Sequence, residues 1–494
     1  MFADETFHII YLEIEISLNP INWVFPESGK MSSARKFIHV NKRGSVLIIS
    51  LIFMLVFSAL AVSMAAMSGN NVQLADNQRK ADRARACAES GFDVLRYWLS
   101  RVAISGTTPE SERFALIVAS LEEELNTDCI TNIIPSCVDS VVTISNVSLN
   151  SATGESFSAT ITALDMDTVQ LDVTGSCDSV TRTIRGAYDF GVRANTVFDY
   201  GVATKGPLAL SGNIELEGVN VSVEADVYIE SESSNLALSI IGNSQIAGNV
   251  KITNPVASVD LQGGQAGIGG ETGQAAINNH VKFGAPPTEF PEPVTGQFES
   301  YVTGIVDSNT DTSSDATFEN IRIAANTNPV FSGQTTLKGI IYVETPNVVE
   351  FAGNTDVTGI IVGDGDTTDN SGVNSIVFSG DVSSHPISEL PQEEKFDGLH
   401  DQTGTFAILP GFLVAFGGSF DALCGAIAGN GIEFYGNAGG EINGSVINYS
   451  GEQMILSGNS DLYFNRSGLT KCPAGFVPQI ILKYNPTSYS EVIL

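Results

Sequence analysis

The longest uninterrupted apolar stretch runs from residue 45 to 67, SVLIISLIFMLVFSALAVSMAAM, without one charged side chain. At about 1.5 Å rise per residue, a helix of that length crosses the ~30 Å hydrocarbon layer with tilt to spare. A soluble core helix, apolar on every side, is the bland alternative. After a weak stretch at Ser68-Gly69-Asn70-Asn71, the residues Ala81, Ala84, Ala88, Phe92, Leu95 and Leu99 recur at spacings of three and four. Arg79, Lys80, Arg83, Arg85 and Arg96 lie off that stripe. The pattern predicts one long helix: a transmembrane part over 45–67, a loosening near Gly69, and an amphipathic continuation over 68–101.

The period then changes. Glu110 to Asn126 is helix-like, with Phe114, Leu116, Ile117, Leu121 and Leu125 as its apolar set. Alternating stretches follow at 141–149, 157–164, 169–175 and 180–190, which predicts a small α+β segment over 102–200 whose sheet buries one face on the long helix. From about Tyr200 charge thins out, and short β-branched runs are punctuated by Gly, Asn, Ser and Thr. A loose unit recurs: ALSGNIELEG (209–218), SIIGNSQIAG (239–248), PVFSGQTTLKG (329–339), VEFAGNTDVTG (349–359), IEFYGNAGGEING (432–444) and MILSGNSDLYF (454–464). Each is a strand, a G-N-type turn and a second strand. Such recurrence predicts a right-handed parallel β-helix, a β-solenoid over 201–470, because one rung cannot bury its inward face alone. An antiparallel sandwich is the alternative. Pro-rich excursions near 283–294 and 384–406 cannot ladder and are expected as extended surface loops. Residues 471–494 read as a C-terminal tail.

The N-terminal pattern resembles a known family. Lys42-Arg43-Gly44 before the apolar run, and A-C-A-E-S-G-F-D-V-L (86–95) after it, resemble a type IV pilin-like protein. The likeness is greatest to atypical minor pilins whose leader reads R-G-S-V-L-I, and it covers Lys42 to about Leu99. It implies that a prepilin peptidase removes a basic leader, 31–44, after Gly44, leaving Ser45 as the mature N-terminus. It also implies an inner-membrane location and other pilin-like subunits as partners. One departure is Ile49, fifth after the cut, where major pilins carry Glu. Residues 1–30 are acidic and apolar, unlike an export leader, and are expected to be a mis-assigned or disordered extension; a genuine cytoplasmic extension is the alternative. The repeats resemble, in style, polymer-forming, bactofilin-like β-helix domains, and D-Y-G-V-A-T-K-G-P-L-A-L-S-G-N (199–213) adds to that likeness.

Charge narrows the function. The chain has 56 acidic against 24 basic residues, a formal net charge of −32, which argues against a nucleic-acid partner. Lys30, Arg35, Lys36, Lys42 and Arg43 crowd the upstream side of the apolar run. The positive-inside bias therefore puts the N-terminus in the cytoplasm and the C-terminal part in the periplasm or at the cell surface. Six cysteines, Cys87, Cys129, Cys137, Cys177, Cys424 and Cys472, show no C-x-x-C spacing. In an oxidising compartment Cys129 and Cys137 could close a small loop. A Cys424–Cys472 bridge could staple the open end of the last rung.

Searches for chemistry return little. No G-x-S-x-G, G-x-x-x-x-G-K-[ST] or H-E-x-x-H occurs, the histidines are dispersed, and glycine-rich 263–273 reads as a loop. Asp364, Asp366, Asp369 and Asn370 form the best candidate set for Ca²⁺, with a solvated acidic turn as the simpler reading. Asp307, Asp311 and Asp315 form a looser set. The expectation is a non-enzymatic surface protein of a pilus or secretion pseudopilus: a low-copy minor subunit with no cofactor, displaying the solenoid to a surface ligand that the sequence does not name. The alternative is an extracellular β-helix enzyme, a lyase or hydrolase, acting on polysaccharide. Between Gly201 and Thr470 the basic side chains are Lys205, Lys251, Lys282, Arg322, Lys338, Lys395 and Arg466, too few and too scattered to line a cleft for an anionic polymer.

Overall fold

The computed structural model describes residues 43–138, 140–231, 235–467 and 471–492. Helix α1 runs from Arg43 to Leu99, 57 residues, and is helical through Gly69. The expected loosening is absent. One glycine costs a helix about 1 kcal/mol, and the long runs of Ala, Leu and Met before it outweigh that. The chain divides into two compact units, Met1–Ala75 and Asp76–Leu494. In the first, the described residues form the apolar half of α1, whose side chains stay exposed: Leu47 is 71% and Phe57 65% accessible.

The second unit opens with the amphipathic half of α1. Its buried stripe, including Ala84, Ala88, Phe92, Leu95 and Leu99, lies on a seven-stranded sheet. The strands are β1 (Ala103–Ser105), β2 (Pro135–Val138), β3 (Val141–Asn150), β4 (Glu155–Ala163), β5 (Thr168–Cys177), β6 (Val180–Arg193) and β7 (Gln479–Val492), in the order β1-β7-β6-β5-β4-β3-β2. Along β5, alternate residues from Val169 to Cys177 are buried, as period-two patterning requires. Helix α2 (Glu110–Thr127) adds Ile117, Val118, Leu121 and Leu125 to the core, and Glu110 and Glu112 in its first turn suit the helix dipole.

Strand β7 is the first correction. The expected C-terminal tail is an interior strand of this head sheet, antiparallel to β6 through pairs such as Gln479↔Arg193 and Tyr484↔Tyr188, and to β1 through Ile481↔Ala103. The strand that completes the head therefore arrives after the whole repeat region. Everything between Arg193 and Gln479 is an insertion between two neighbouring strands.

The insertion is a coil of three sheets of stacked, mainly parallel strands, here I, II and III; turns over 202–268 and 405–464 contribute in order to all three, and the turns between 316 and 378 alternate between I and II. Ala426–Gly429 lies in sheet I, Ile432–Phe434 in II and Gly440–Ile442 in III; Val446–Asn448 then begins the next turn in I. Inward side chains form one apolar cluster along the coil. The stacking does not follow chain order. The chain enters midway, so the first turn lies against the last: Val202↔Val446, Leu208↔Met454 and Leu216↔Leu462 are direct neighbours. From this seam, turns at 227–246 and 250–268 build in one direction to Val281–Phe283. The chain then restarts at the other end of sheet I with Gly304–Val306 and winds back.

One unit explains the stacking: an apolar residue, a spacer, Gly, then a small polar residue. The apolar position gives Phe331, Phe351, Phe378, Phe416 and Phe434, with ring centroids 4.9, 5.0, 5.0 and 5.1 Å apart and nearly parallel planes. That spacing is the distance between strands. The glycine position leaves no room for a side chain. A Cβ on Gly353 would lie 2.1 Å from the Gly333 carbonyl oxygen, and one on Gly212, at φ +119°, 2.2 Å from that of Gly458. Gly436, Gly458, Gly212 and Gly242 stack across the seam without a break.

The Pro-rich excursions are a second correction. Residues 384–406 cover the outer face of sheet I and bury Ile387, Leu390, Phe396 and Leu399 against Ile340, Ile360, Ile408, Ala428 and Ile447, while 283–294 is exposed or half-buried along most of its length and packs Phe290 partly on the same cluster. Proline cannot donate to a ladder, but its carbonyl accepts. Tyr449 donates its hydroxyl to the Pro291 carbonyl, and the Thr288 amide donates to the Tyr228 hydroxyl at 2.8 Å. Glycine-rich 263–273 is more than a loop. Gly267–Ile268 and Glu271–Thr272 pair as a short hairpin, and α3 (Gly273–His280) follows, with Ala276 buried in the coil's core.

Candidate functional surfaces

The candidate residues lie on the apolar half of α1, in the coil and, for Cys129 and Cys137, in the head. Gly44 and Ser45 lie within α1, while 1–42, and with them most of the expected leader, fall outside the described residues. Ile49 is 53% exposed among equally exposed neighbours from Val46 to Phe57. Its position offers no carboxylate. Among the described residues one helix is long and apolar enough to cross a membrane.

The expected cation ligands do not assemble. Asp364 accepts from the Thr345 amide of the adjacent turn at 2.7 Å. Asp366 accepts from the amide and hydroxyl of Thr368 (2.8 and 2.9 Å), and Asp369 from the Ser371 amide at 2.9 Å. Asn370 accepts from Asn430 at 3.3 Å. These are turn-closing bonds, and each carboxyl that makes them with Thr368 or Ser371 is held below the usual carboxylate range by them. Asp311 is likewise spent on Ser313 and Ser314, whose hydrogen bonds lower it to about 2. No group of three or more His, Cys, Asp or Glu side chains able to hold a metal occurs among the described residues.

All six cysteines are free. Neither the Cys129–Cys137 loop nor the Cys424–Cys472 staple is formed. The staple's rationale also fails, because the last turn lies at the seam, covered by the first turn, and exposes no open edge. The Cys424 thiol contacts the Ser384 carbonyl and that of Cys472 the Phe476 carbonyl. Burial raises both thiols, Cys472 to about 11.

Most of the coil's few cations have partners within the chain; Lys282 is exposed. Arg322 bridges Glu299 (2.7 Å) and Glu344 (2.6 Å), and Lys395 bridges Glu319 (2.7 Å) and Glu393 (2.9 Å). Lys205 sits 5.3 Å from the Phe290 ring centroid and 5.9 Å from that of Tyr449. Arg466 donates to the carbonyls of Phe198, Val223 and Glu224 at 3.2, 2.7 and 2.9 Å, which fastens the last turn to the first. The uncovered outside is therefore acidic and amide-rich. A cleft of about 300 Å³ is lined by Gln334, Asn354, Asp356, Asp381, Ser419 and Asp421, among others, without a Lys or Arg. On sheet III, burial and the nearby Asp461 and Glu217 carboxylates raise Glu215. At the corner beyond the glycine column, Asn243 donates to Asn213 (2.8 Å), Asn213 to Asn459 (2.9 Å) and Asn459 to Asn437 (3.5 Å), an exposed amide ladder that crosses the seam. The repeated G-N turns announced this ladder. Nothing in the sequence announced its crossing between residues 246 positions apart.

Comparison with known proteins reaches the N-terminal helix. Residues 43–93 match the family model described as PilX N-terminal, so this helix is pilin-like. No curated protein matches the chain. Among solved structures, the competence-associated pilin ComZ from Thermus thermophilus is 10% identical, covering 84% of this chain and 97% of that chain, with a TM-score of 0.22. That score is too low to carry a fold assignment.

Proposed function

We propose that this chain is a low-copy, pilin-like subunit of a pilus or secretion pseudopilus, held in the inner membrane by residues 45–67 and presenting the coil as a non-enzymatic contact surface. The observation that carries this reading is the pilin-like match over 43–93 on a helix whose head sheet is interrupted by the coil between only two strands. Such an insertion leaves the helix and head free to pack among other pilin-like subunits while the coil projects as cargo. In this reading a prepilin peptidase cuts after Gly44, and the coil is a right-handed β-helix in the style of bactofilin-like domains. Arg322 and Lys395 are taken up in internal pairs and the remaining cations are scattered, which favours contact over cleavage of an anionic polymer.

Ile49 sets the position in the filament. A carboxylate in lipid is costly unless paired, so a Glu there would favour docking onto the N-terminal amine of a neighbouring subunit. A subunit with Ile49 receives others below and makes no such pair upward, which suits a tip or initiating place. Immunogold labelling of the coil should give sparse or terminal gold; labelling along the whole filament at major-pilin density refutes the reading. N-terminal sequencing of membrane-purified protein should begin at Ser45, and recovery of Met31 or Met1 refutes the processing step. Ile49→Glu should change the protein's incorporation into filaments.

A further inference from the structure

Outside the coil, one pair of buried thiols has no role in the account so far. Cys87 on α1 and Cys177 at the end of β5 are buried, at 6% and 4% exposure. They lie on facing surfaces. Cys87 belongs to the helix stripe with Ala84 and Ala88, and Cys177 continues the inward row Val169, Leu171, Val173, Gly175.

Helix and sheet come closest where these two rows meet. A Cβ on Gly175 would lie 2.1 Å from the Ala84 carbonyl oxygen, 2.3 Å from the Ala88 nitrogen and 2.9 Å from the Cys87 carbonyl carbon. Only glycine permits that approach, and it brings the helix backbone at Cys87 into contact with the strand two residues from Cys177. The Ser156 backbone faces the Cys87 thiol and opposes its rise. Ser156 is the ladder partner of Ser176, the residue before Cys177. One residue further, Asp178 pairs with Lys80 of α1 at 3.2 Å, which holds the strand end down on the helix. The Cys177 thiol is also among the groups that push the Cys87 thiol upward, after burial and Glu155.

We infer that Cys87 and Cys177 are a disulfide site, a covalent tie between the anchor helix and the head sheet where the helix leaves the sheet. Facing rows in backbone contact at Gly175, two residues from Cys177, put the two thiols across the helix–sheet junction, where a disulfide needs only a short Cα separation. The step balances with a disulfide oxidant such as oxidised glutathione. One protein thiolate attacks it and releases one glutathione thiol. The second protein thiolate displaces the other glutathione, so two protons and two electrons pass from the cysteines to the oxidant. In the exported setting proposed above, the tie would keep the head on its helix when tension is applied along α1. This physiological use rests on that reading; the pairing itself does not.

The full chain in detergent, equilibrated with oxidised and reduced glutathione, then alkylated, digested and mass-mapped without reduction, tests the site. The expected product is a linked Cys87–Cys177 peptide. The head's unfolding temperature should rise by roughly 10 °C on oxidation, and a Cys87→Ser/Cys177→Ser variant should fold and lose that rise. Recovery of both thiols fully alkylated, or linked to other cysteines, overturns the proposal. So does an oxidative rise that persists in the double variant. The buffer supplies its own oxidant, so failure here speaks against the pair and leaves the membrane-anchor reading untouched.

Discussion

The head sheet and the coil solve the same problem in opposite ways. In the head, the strands pair antiparallel, five of them nine residues or longer, and one face is buried on α1. In the coil, strands are mostly short and parallel, and each turn buries its inner face only because another turn lies on either side. The head's specificity therefore resides in individual contacts, such as Gly91, where a Cβ would strike the Phe157 ring at 2.6 Å. The coil's resides in a repeated unit, so any turn can stack on any other. That interchangeability is what lets the first turn join the last across the seam, and lets the chain leave and re-enter the head at adjacent strands.

The largest test of this contrast places a side chain at the closest approach in each region. Gly353→Val in the coil and Gly175→Val in the head each force a Cβ to about 2.1 Å from a backbone oxygen. Each should cost roughly 4 kcal/mol or more. Regional hydrogen exchange should show loss of protection confined to the mutated region. Gly264→Val, where no atom lies within 4 Å of the new Cβ, should cost no more than about 0.5 kcal/mol.

How much of this was readable in the sequence follows from the same contrast. The three-and-four spacing of Ala84, Ala88, Phe92 and Leu95, and the alternation through β3 to β6, are local signals, and the elements formed where those signals lie. The G-N turns identified stacking turns because the unit is local too. The seam and β7 were invisible. Gln479–Val492 is a half-polar stretch whose partner lies about 300 residues earlier, and a periodic unit does not specify which turn is its neighbour. The prolines at 286, 287, 291 and 293 were read as incompatible with a ladder; Pro293 forms one isolated bridge to Phe476, and the Pro291 carbonyl is buried as the acceptor of the Tyr449 hydroxyl. The acidic turns looked like ligand sets because composition does not reveal that Thr368, Ser371 and Ser313 already occupy the carboxylates.

A smaller effect is expected inside the phenylalanine column. Phe378→Ala removes a ring stacked at 5.0 Å on both Phe351 and Phe416 and should cost about 3–5 kcal/mol. The loss should appear in the coil's denaturant midpoint, with the head's midpoint unchanged. A loss shared equally by both regions would mean that they unfold as one unit.

The smallest effect is electrostatic. Glu215 is raised by burial and by Asp461 and Glu217, so the folded coil favours its protonated form. That contribution is fully present below the unfolded-state value near 4.5 and is lost as pH rises through the folded value. Glu215→Gln should therefore remove this one stabilising contribution on acidification from pH 7 to 4, so that the variant's stability falls more, or rises less, than the parent's over that range, and slightly raise the midpoint at pH 7. An unchanged pH slope would contradict the assignment.

The central claim is that the head is complete apart from an inserted coil. It is tested most directly by deleting 194–478 and joining Arg193 to its ladder partner Gln479 through Asn-Gly, a dipeptide that favours a two-residue hairpin turn. Hydrogen exchange of the shortened protein in detergent is then compared with that of the full chain. Protection in β3, β4, β5 and β6 equal to that in the full chain is the predicted result. Loss of protection across those strands, with α1 no longer shielded over 84–99, would contradict it.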